Sequence, residues 1–400
     1  MISTHEALTI LLQLTRQNNK EKIYIEKSAD RILSDDLIAK YNQPPLPTSA
    51  MDGYAIKKHD KVSGSKLSVI GECAAGNNFE GSVKDGEAVR IFTGAPLPIG
   101  TDCIVIQENV VVIKDQIIIK QNFEHNNFVR GTGFDFRKGF TIKAPIKINP
   151  AVVSLVAAMN YNKVSVFKKP KVAIIVTGNE LVEPGNKIPA NKIVSSNSYG
   201  LLAMLKSFGA KAKMFPITED NPFTIQKRIK KAKNFDLILT VGGVSVGDYD
   251  LVEDAASKLG FKLAFHSVAM KPGKPLLAGT INDKILIGLP GNPVSALISC
   301  YVMVKPVIEK MLGFGTNNTE LTIYAKLGSK LKKNGKREHF QRAVLKNENN
   351  EFVVYPLQRQ DSSLLSELRK SNSLIKRLPY APALTTGQKV KVLTFYSEFY

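Results

Sequence analysis

The chain has 400 residues, of which 44% are hydrophobic and 22% are charged, and its formal net charge is +20. Its length predicts two to four domains, and its composition is typical of a soluble globular protein. No apolar run is long enough to span a membrane, and the first residues lack the basic start and apolar block of a secretory signal. We therefore expect neither a membrane protein nor a secreted one.

The excess of lysine and arginine has two interpretations. It can attract an anionic partner, either nucleic acid or a phosphate-rich small molecule, or it can simply keep the surface solvated. The lysines are scattered, and the local run at residues 227–233 lies on a predicted helix face that it is expected to solvate. The sequence has no basic helix, finger or RNP-type motif, so we expect no nucleic-acid partner.

The number and spacing of the cysteines predict the cellular compartment of the protein. Cys73, Cys103 and Cys300 are far apart, odd in number and set among apolar residues. Free, buried thiols are the expected state, which predicts a cytoplasmic location.

The predicted elements begin with a helix. Ser3 and Glu6 have the spacing of a capping box, and the apolar residues between 8 and 14 form one helix face. A proline-rich linker follows at residues 43–48, since proline cannot continue a helix. From residue 52 to about residue 140, apolar segments alternate with Gly, Asp, Asn and Pro, which predicts an all-β module with strands near 67–70, 88–91, 103–106 and 116–119.

The second half of the chain has a different order of predicted elements, in which helices alternate with strands. Asn149-Pro150 begins a short helix that ends near Met159. Strand, loop and helix then repeat, which predicts a doubly wound α/β domain with helices near 194–208, 222–232, 249–259 and 293–312. The tail returns to strands near 323–325, 352–354 and 390–392. We predict a multidomain α/β plus β fold divided into a discontinuous helical linker domain (1–51 with 141–167), a β insert (52–140), an α/β domain (168–315) and a C-terminal β domain (320–400).

Three glycine-rich loops follow predicted strands of the α/β domain. The segments are 177–181, 240–250 and 288–293. Glycines let a ligand approach the backbone, free N–H groups bind phosphate oxygens, and carboxylates bind hard cations. Because such loops gather at the carboxyl ends of parallel strands, they predict one binding site for a small ligand.

Two further motifs in the same domain, a lysine-containing turn and a helix start, are predicted to bind an anion. Residues 271–275 place two lysines in a proline-stiffened turn, an anion clamp rather than an ordinary surface turn. Asn292-Pro293 begins a helix and is expected to leave the backbone N–H groups of Val294 and Ser295 free for an anion.

Three motifs in the β insert are ambiguous. Asp52-Gly53 reads more readily as a hairpin turn than as a presented carboxylate. The loop at 93–98 fits a turn and a ligand contact equally well. Residues 130–135 lack the glycine spacing of a dinucleotide-binding motif. They place an arginine and an aspartate in one loop, a pair suited to bind an oxyanion beside a metal ion. The five histidines have no zinc-ligand spacing, and no Gly-x-Ser-x-Gly elbow is present.

Together these motifs resemble those of one family. The sequence is similar to the molybdopterin molybdenumtransferases, the family of bacterial MoeA and the gephyrin E-domain, over nearly its full length. The resemblance rests on segments 44–55, 93–98, 177–181, 242–250, 270–275 and 288–296, in that order. Each motif alone is weak, whereas the ordered set is highly specific.

The resemblance implies that molybdate is ligated to the dithiolene of adenylylated molybdopterin with Mg²⁺, releasing AMP and molybdenum cofactor. It implies a homodimer with a shared cleft, an α/β domain that binds the pterin nucleotide, and the upstream adenylyltransferase as a further partner. The catalytic residues it implies are Asp52, Thr93, Arg130, Asp135, Glu180, Asp250 and Lys271, with Glu180 and Asp250 on the metal. The substrate-binding residues it implies are Thr177, Gly178, Ser196, Asp220, Gly242, Gly243, Ser245, Gly247, Lys274, Gly291, Asn292, Pro293, Arg342 and Ser362.

Two positions depart from the family pattern. Ser267 stands where some members have a lysine, and Phe134 stands where an acidic residue is usual. Two rival functions stay open. The first is a molybdopterin adenylyltransferase, a family that shares the α/β domain but has no counterpart of segments 1–165 and 320–400 of this chain. The second is a nucleic-acid or scaffold protein that uses the +20 charge.

Overall fold

A computed structural model of the chain describes residues 1–121, 126–243, 251–314 and 322–395. Its elements form an α/β unit, a β insert, a linker unit and a C-terminal β unit, so the predicted fold class is confirmed. The three cysteines are buried and free, as predicted. None of the described helices has the length and apolarity needed to cross a membrane.

The chain begins with a capped helix, α1 (Thr4–Leu14). The Ser3 hydroxyl accepts a hydrogen bond from the Glu6 N–H at 3.1 Å, and the Glu6 carboxylate accepts one from the Ser3 N–H at 2.7 Å, so the capping box is confirmed. Ala7 and Leu11 are fully buried in the core of the α/β unit. Helix α1 therefore packs on the α/β unit, because apolar contact area rather than chain order decides where a helix packs.

The linker unit is more sheet than helix. After α1 the chain forms β1 (Lys20–Tyr24), β2 (Ile32–Leu33), β3 (Leu37–Ile38) and β4 (Thr48–Ser49). The β insert then supplies β5 (Gly53–Ile56), β6 (Lys66–Cys73), β7 (Glu87–Ile91), β8 (Cys103–Ile106), β9 (Val110–Ile113) and β10 (Gln116–Ile119). The chain then leaves the insert: β11 (Val129–Arg130) pairs with β4, β12 (Thr141–Ile142) pairs with β3, and β13 (Ile146–Lys147) pairs with β2. Helix α2 (Pro150–Ala158) and β14 (Lys163–Phe167) return to the linker unit, whose sheet has the order β1-β14-β2-β13.

The β insert contains one six-stranded sheet with the order β8-β5-β7-β6-β10-β9. The four predicted strands are present, and β5 and β9 were not predicted. All four residues of β5 are buried, so this strand lacks the alternation by which a half-buried strand is recognised. As predicted, α2 begins at Pro150, with the Asn149 side chain accepting a hydrogen bond from the Val152 N–H at 2.9 Å.

The α/β unit has the strands β15 (Lys171–Val176), β16 (Leu181–Val182), β17 (Ile193–Val194), β18 (Lys211–Met214), β19 (Leu237–Val241), β20 (Lys262–Ser267), β21 (Met270–Lys271), β22 (Pro275–Ile281) and β23 (Lys284–Leu289). Its helices are α3 (Asn197–Ser207), α4 (Pro222–Lys231), α5 (Leu251–Ser257), α6 (Pro293–Ser299) and α7 (Lys305–Met311). The main sheet has the order β18-β15-β19-β23-β22-β20. The first four strands are parallel, β22 is antiparallel to β23, and β20 is antiparallel to β22. The carboxyl ends of β15, β19 and β23 therefore meet at one edge of the sheet.

The helix predicted at 293–312 is interrupted. A π-helical turn, Cys300–Val304, separates α6 from α7. Pro306 has no backbone N–H and cannot continue the α-helical hydrogen bonds, so the wider turn before it accommodates the proline.

The C-terminal unit is a closed sheet. It contains β24 (Thr322–Leu327), β25 (Glu338–Glu348), β26 (Glu351–Pro356), α8 (Leu365–Lys370), β27 (Ser373–Arg377) and β28 (Lys389–Thr394). The pairings β25-β26-β24-β28-β27 close through β25–β27, and β21 of the α/β unit adds to β25 in parallel. This added strand joins the turn that begins at Lys271 to the C-terminal unit.

Candidate functional site

A cavity of about 1000 Å³ opens at the carboxyl ends of β15, β19 and β23. Its wall brings together nine of the predicted site residues: Thr177, Glu180, Ser196, Asp220, Gly242, Gly243, Gly291, Asn292 and Pro293. Gly178 lies in the same loop, between Thr177 and Asn179. Ser245, Gly247 and Asp250 lie outside the described residues.

Two carboxylates, those of Glu180 and Asp220, face this cavity. The loops that carry them hold each other, because the Asn179 N–H donates to Asp220 Oδ2 at 3.3 Å and Asn179 Oδ1 accepts from the Asp220 N–H at 3.1 Å. The described lining contains no lysine or arginine. Two carboxylates without a cation repel phosphate oxygens, so an anionic ligand here needs a cation between them.

A divalent ion fits this donor set. Mg²⁺ is usually held by one or two protein carboxylates together with substrate phosphates and water. Within residues 1–121, 126–243, 251–314 and 322–395, no group of three His, Cys, Asp or Glu is placed to hold a metal alone. A metal at Glu180 and Asp220 would therefore need further oxygens, from its substrate or from residues outside these ranges.

The end of β19 presses against the end of β15. Gly242 has a φ of +87°, and a Cβ built on it would lie 2.8 Å from the Thr177 carbonyl oxygen. Thr177 Oγ1 is buried, has no hydrogen-bond partner among the residues that the structure describes, and lies 3.2 Å from the same Cβ position. Only glycine permits this approach, so Gly242 sets the shape of the cavity wall.

Gly242→Ala is expected to lower the free energy of unfolding by about 2–3 kcal/mol, because the left-handed conformation and the contact with Thr177 both oppose a Cβ. Gly260→Ala is the matched control, since Gly260 has a φ of +81° but nothing within 4 Å of its Cβ position. The control should lose about 1 kcal/mol, the conformational part alone. Urea unfolding of both variants measures the difference, and equal losses would show that the contact with Thr177 costs nothing.

The start of α6 is covered by the C-terminal unit. The Asn292 side-chain amide donates to Ser362 Oγ at 3.1 Å, and the Val294 N–H donates to the Ser362 carbonyl at 3.0 Å. The prediction that the Val294 N–H is free for an anion is therefore wrong, because a backbone carbonyl already accepts its hydrogen bond. Ser363, from the same loop, lines the cavity.

Arg342 holds that loop from behind. Its side chain is only 1% exposed, and its guanidinium donates to the carbonyls of Arg359, Asp361 and Leu364 at 3.1, 2.9 and 3.2 Å. Arg342 is not part of the cavity wall. Its contacts position the loop that carries Ser362 instead of reaching the cavity, and direct binding of a substrate by Arg342 stays a prediction.

A second group of predicted residues gathers on the β insert around segment 43–50. Thr93 donates to Asp52 Oδ1 from its backbone N–H at 2.7 Å and from its hydroxyl at 2.8 Å. These hydrogen bonds, the backbone one first, lower the pKa of Asp52 below its ordinary value. Arg130 pairs with Thr48, and the Asp135 N–H donates to the Gln43 carbonyl at 2.9 Å. None of these four predicted residues lines the cavity in the α/β unit.

The lysine turn lies at the junction with the C-terminal unit. Lys271 and Lys274 are exposed and are not part of the cavity wall. Lys271 pairs with His339 across β21 and β25, and His339 pairs with Arg377 across β25 and β27. Burial first, and then the charges of Lys271, Arg337, Arg342 and Arg377, lower the pKa of His339 from 6.5 to about 3.

The low pKa of His339 predicts a pH-dependent stability. The unfolded chain binds a proton below pH 6.5 that the folded chain does not bind until about pH 3. Stability should therefore fall as the pH drops through this window, by about 1.4 kcal/mol between pH 7.5 and pH 5.5 from this group. Urea unfolding of the wild type and His339→Gln at both pH values measures the effect. The loss should be smaller by that amount in the variant, and equal losses would contradict the assignment.

The predicted site residues did not include four polar residues of the wall: Asn179, Ser195, Asn197 and Ser363. The Asn197 amide donates to the Gly291 carbonyl at 2.6 Å and so joins the start of α3 to the third glycine-rich loop. A run of Ser195, Ser196 and Asn197 before an apolar helix is a helix-start signal that could have indicated this position. Ser363 had no such signal, because its place depends on the buried Arg342.

Three family descriptions match successive parts of the chain. They are the MoeA N-terminal region (domain I and II) at residues 2–160, the probable molybdopterin binding domain at 173–310, and the MoeA C-terminal region (domain IV) at 324–395. A molybdopterin molybdenumtransferase from Haemophilus influenzae is 32% identical over 99% of both chains. One from a Nostoc species is 34% identical over 82% of this chain and 78% of the relative.

A solved structure is also similar over the whole chain. The molybdopterin biosynthesis MoeA protein from Pyrococcus horikoshii superposes with a TM-score of 0.84 at 28% identity, covering 99% of this chain and 100% of that one. The similarity therefore includes the linker unit and the C-terminal unit as well as the α/β unit.

Proposed function

Since the chain belongs to the molybdopterin molybdenumtransferases, transferases of molybdenum cofactor biosynthesis, we propose that it ligates molybdate to adenylylated molybdopterin. In the reaction, water cleaves the phosphoanhydride bond of the adenylylated pterin and AMP leaves. The two dithiolene sulfurs displace an oxygen ligand of molybdate, which takes up the thiol protons and leaves as water, and the product is molybdenum cofactor. The observation that carries the proposal is the cavity in the α/β unit, where three glycine-rich loops and two carboxylates share one wall.

The nucleotide half of the substrate occupies this cavity in our proposal. Thr177, Gly178, Gly242 and Gly243 place their backbone in or beside the cavity wall, at the ends of β15 and β19. Ser196, Asn292 and Ser362 offer hydroxyl and amide groups around the same wall or on its rim. Ser245 and Gly247 lie outside the described residues, belong to the same glycine-rich segment of the sequence and stay predicted binding residues.

Glu180 and Asp250 hold Mg²⁺ in this proposal, and Asp220 supports the ion from the facing loop. When bound, the ion neutralises phosphate charge and polarises the bond that is broken. The Glu180 and Asp220 carboxylates, in a wall whose described residues include no lysine or arginine, support a cation at this place. The protein groups themselves orient the nucleotide and place their acidic oxygens where a cation is needed.

Asp52, Thr93, Arg130 and Asp135 act on molybdate and the dithiolene in our proposal, contributed by the second subunit of a homodimer. Their position on the β insert, outside the cavity wall, supports a shared cleft, because one chain does not unite the two groups. Thr93 keeps Asp52 ionised, and Lys271, Lys274 and Arg130 balance the charge of a dianion. We propose a cytoplasmic enzyme that receives its substrate from the upstream adenylyltransferase.

The test supplies purified full-length protein with adenylylated molybdopterin and Mg²⁺, with and without molybdate. We expect AMP release only when molybdate is present. Pyrophosphate formed from ATP and molybdopterin would instead indicate an adenylyltransferase, the rival that shares the α/β unit. AMP release that ignores molybdate would contradict the proposed coupling.

The homodimer has its own test. Asp52→Asn and Glu180→Gln chains, each strongly impaired alone at a low Mg²⁺ concentration, are mixed at that concentration and allowed to exchange subunits. A shared cleft predicts that about one quarter of wild-type activity returns, since half of the dimers are mixed and each has one intact site. No recovery in mixtures that form heterodimers would contradict a cleft built from two chains.

A further inference from the structure

A second cavity, of about 640 Å³, lies at the amino ends of the parallel strands. Strand β15 begins in this cavity at Lys171 and ends at Val176, in the wall of the candidate site. At about 3.3 Å per residue, the strand separates the two by about 17 Å. The second cavity is therefore a separate feature at the opposite edge of the sheet, where the catalytic assignment uses no residue.

Basic side chains dominate the charge of this cavity. They come from the segment after α1 and from the starts of three parallel strands: Arg16, Lys168, Lys169, Lys171, Lys211 and Lys284. Three acids also line it, but Glu21 pairs with Arg31, and Asp236 lies 3.9 Å from the Lys284 ammonium group. Among the residues that the structure describes, the other five cations make no salt bridge, and Asp283 is the only acid of the lining without one.

Strand register places two of these charges side by side. Lys171 and Lys211 are direct partners in the parallel pairing of β15 with β18. Direct partners project from the same face of a sheet, and like charges at such positions repel. An anion between them would relieve this repulsion, which solvent alone relieves only in part.

The uncharged residues that line the cavity indicate which kind of anion it would bind. The side-chain amides of Gln17, Asn19 and Asn234 line the cavity and make no hydrogen bond within the described part of the chain. No aromatic ring is among the described lining residues, so the cavity offers nothing for a base to stack on. Lysine ammonium groups and amide N–H groups together match phosphate oxygens.

We propose that this cavity binds a small anion carrying several linked phosphate groups. Its positive groups come from four chain segments around one concave surface, which distinguishes it from a scattered, solvated lysine surface. A cavity of about 640 Å³ is larger than a single phosphate, so a chain of linked phosphates contacts more of its cationic groups. The proposal concerns binding at this site and does not depend on the transferase reaction.

The test is a calorimetric titration of inorganic tripolyphosphate into the full-length protein without molybdate or divalent cations. We expect saturable binding of one anion per chain, weakened about tenfold in the double variant Lys171→Gln/Lys211→Gln. The control Lys332→Gln/Lys333→Gln removes the same charge from exposed positions outside the cavity and should bind as the wild type does. A second variant, Lys168→Gln/Lys169→Gln, reports on the same cavity without altering a strand.

Three results would overturn the proposal. They are the absence of saturable binding, equal weakening in the control and cavity variants, and orthophosphate binding as tightly as tripolyphosphate at matched ionic strength. Molybdate-dependent AMP release should be unchanged in Lys171→Gln/Lys211→Gln without tripolyphosphate. Failure of anion binding is therefore distinguishable from failure of the transferase assignment.

Discussion

Glu180→Gln is expected to lower molybdate-dependent AMP release by about 100-fold at a fixed, low Mg²⁺ concentration, because it removes a carboxylate ligand of the proposed ion. The side chain is exposed in the cavity wall, so its loss should leave the fold intact. Part of the lost rate should return as the Mg²⁺ concentration is raised. Measuring AMP release against Mg²⁺ concentration separates weakened metal binding from a loss that metal cannot restore.

The matched control is Glu183→Gln. Glu183 lies three residues further along the same segment, but its carboxylate accepts a hydrogen bond from the Tyr199 hydroxyl at 3.1 Å and does not line the cavity. This control should keep the wild-type rate and Mg²⁺ dependence. If Glu180→Gln behaved in the same way, the metal assignment of Glu180 would be untenable.

Arg342→Met is expected to lower the free energy of unfolding by about 3 kcal/mol, because three carbonyls would lose a buried, charged donor. The same change should release the loop at residues 359–364 from the start of α6 and weaken nucleotide binding through Ser362 and Ser363. Urea unfolding measures the first effect, and calorimetric titration with AMP measures the second.

Arg359→Met is the control for this prediction. Arg359 belongs to the same loop, but its side chain is exposed and its carbonyl is the group that Arg342 holds. The control should change stability by less than about 0.5 kcal/mol, as exposed substitutions generally do. If the Arg342→Met protein were as stable as this control and bound AMP as the wild type does, the proposed role of Arg342 in positioning the loop would be contradicted.

Local features were predictable because their physical causes lie within a few residues. The capping box of Ser3 and Glu6, the start of α2 at Pro150 and the loops at the ends of β15, β19 and β23 were all predicted. Helix periodicity and cap chemistry are properties of neighbouring residues. Strand β5 was missed because it is buried on both faces, and the break before Pro306 because the apolar pattern continues through it.

The division into four domains at the predicted boundaries stays a prediction. The structure adds that α1 packs on the α/β unit and that β21 extends the C-terminal sheet. Both contacts join segments far apart in the chain. The sequence pattern of an amphipathic helix or strand shows that one face is buried, but it does not show which other segment covers that face.

The amino-acid sequence by itself determined the family of this chain, its fold class and the chemical groups on each loop, because ordered motifs and short-range hydrogen bonds are written in adjacent residues. Only the tertiary structure decided which of those groups meet. It united Glu180, Asp220 and Asn292 in one wall, kept Asp52 and Lys271 out of it, and buried Arg342 behind a loop. The physical reason is that strand order and register, set by the packing of whole sheets, bring distant charges together or hold them apart.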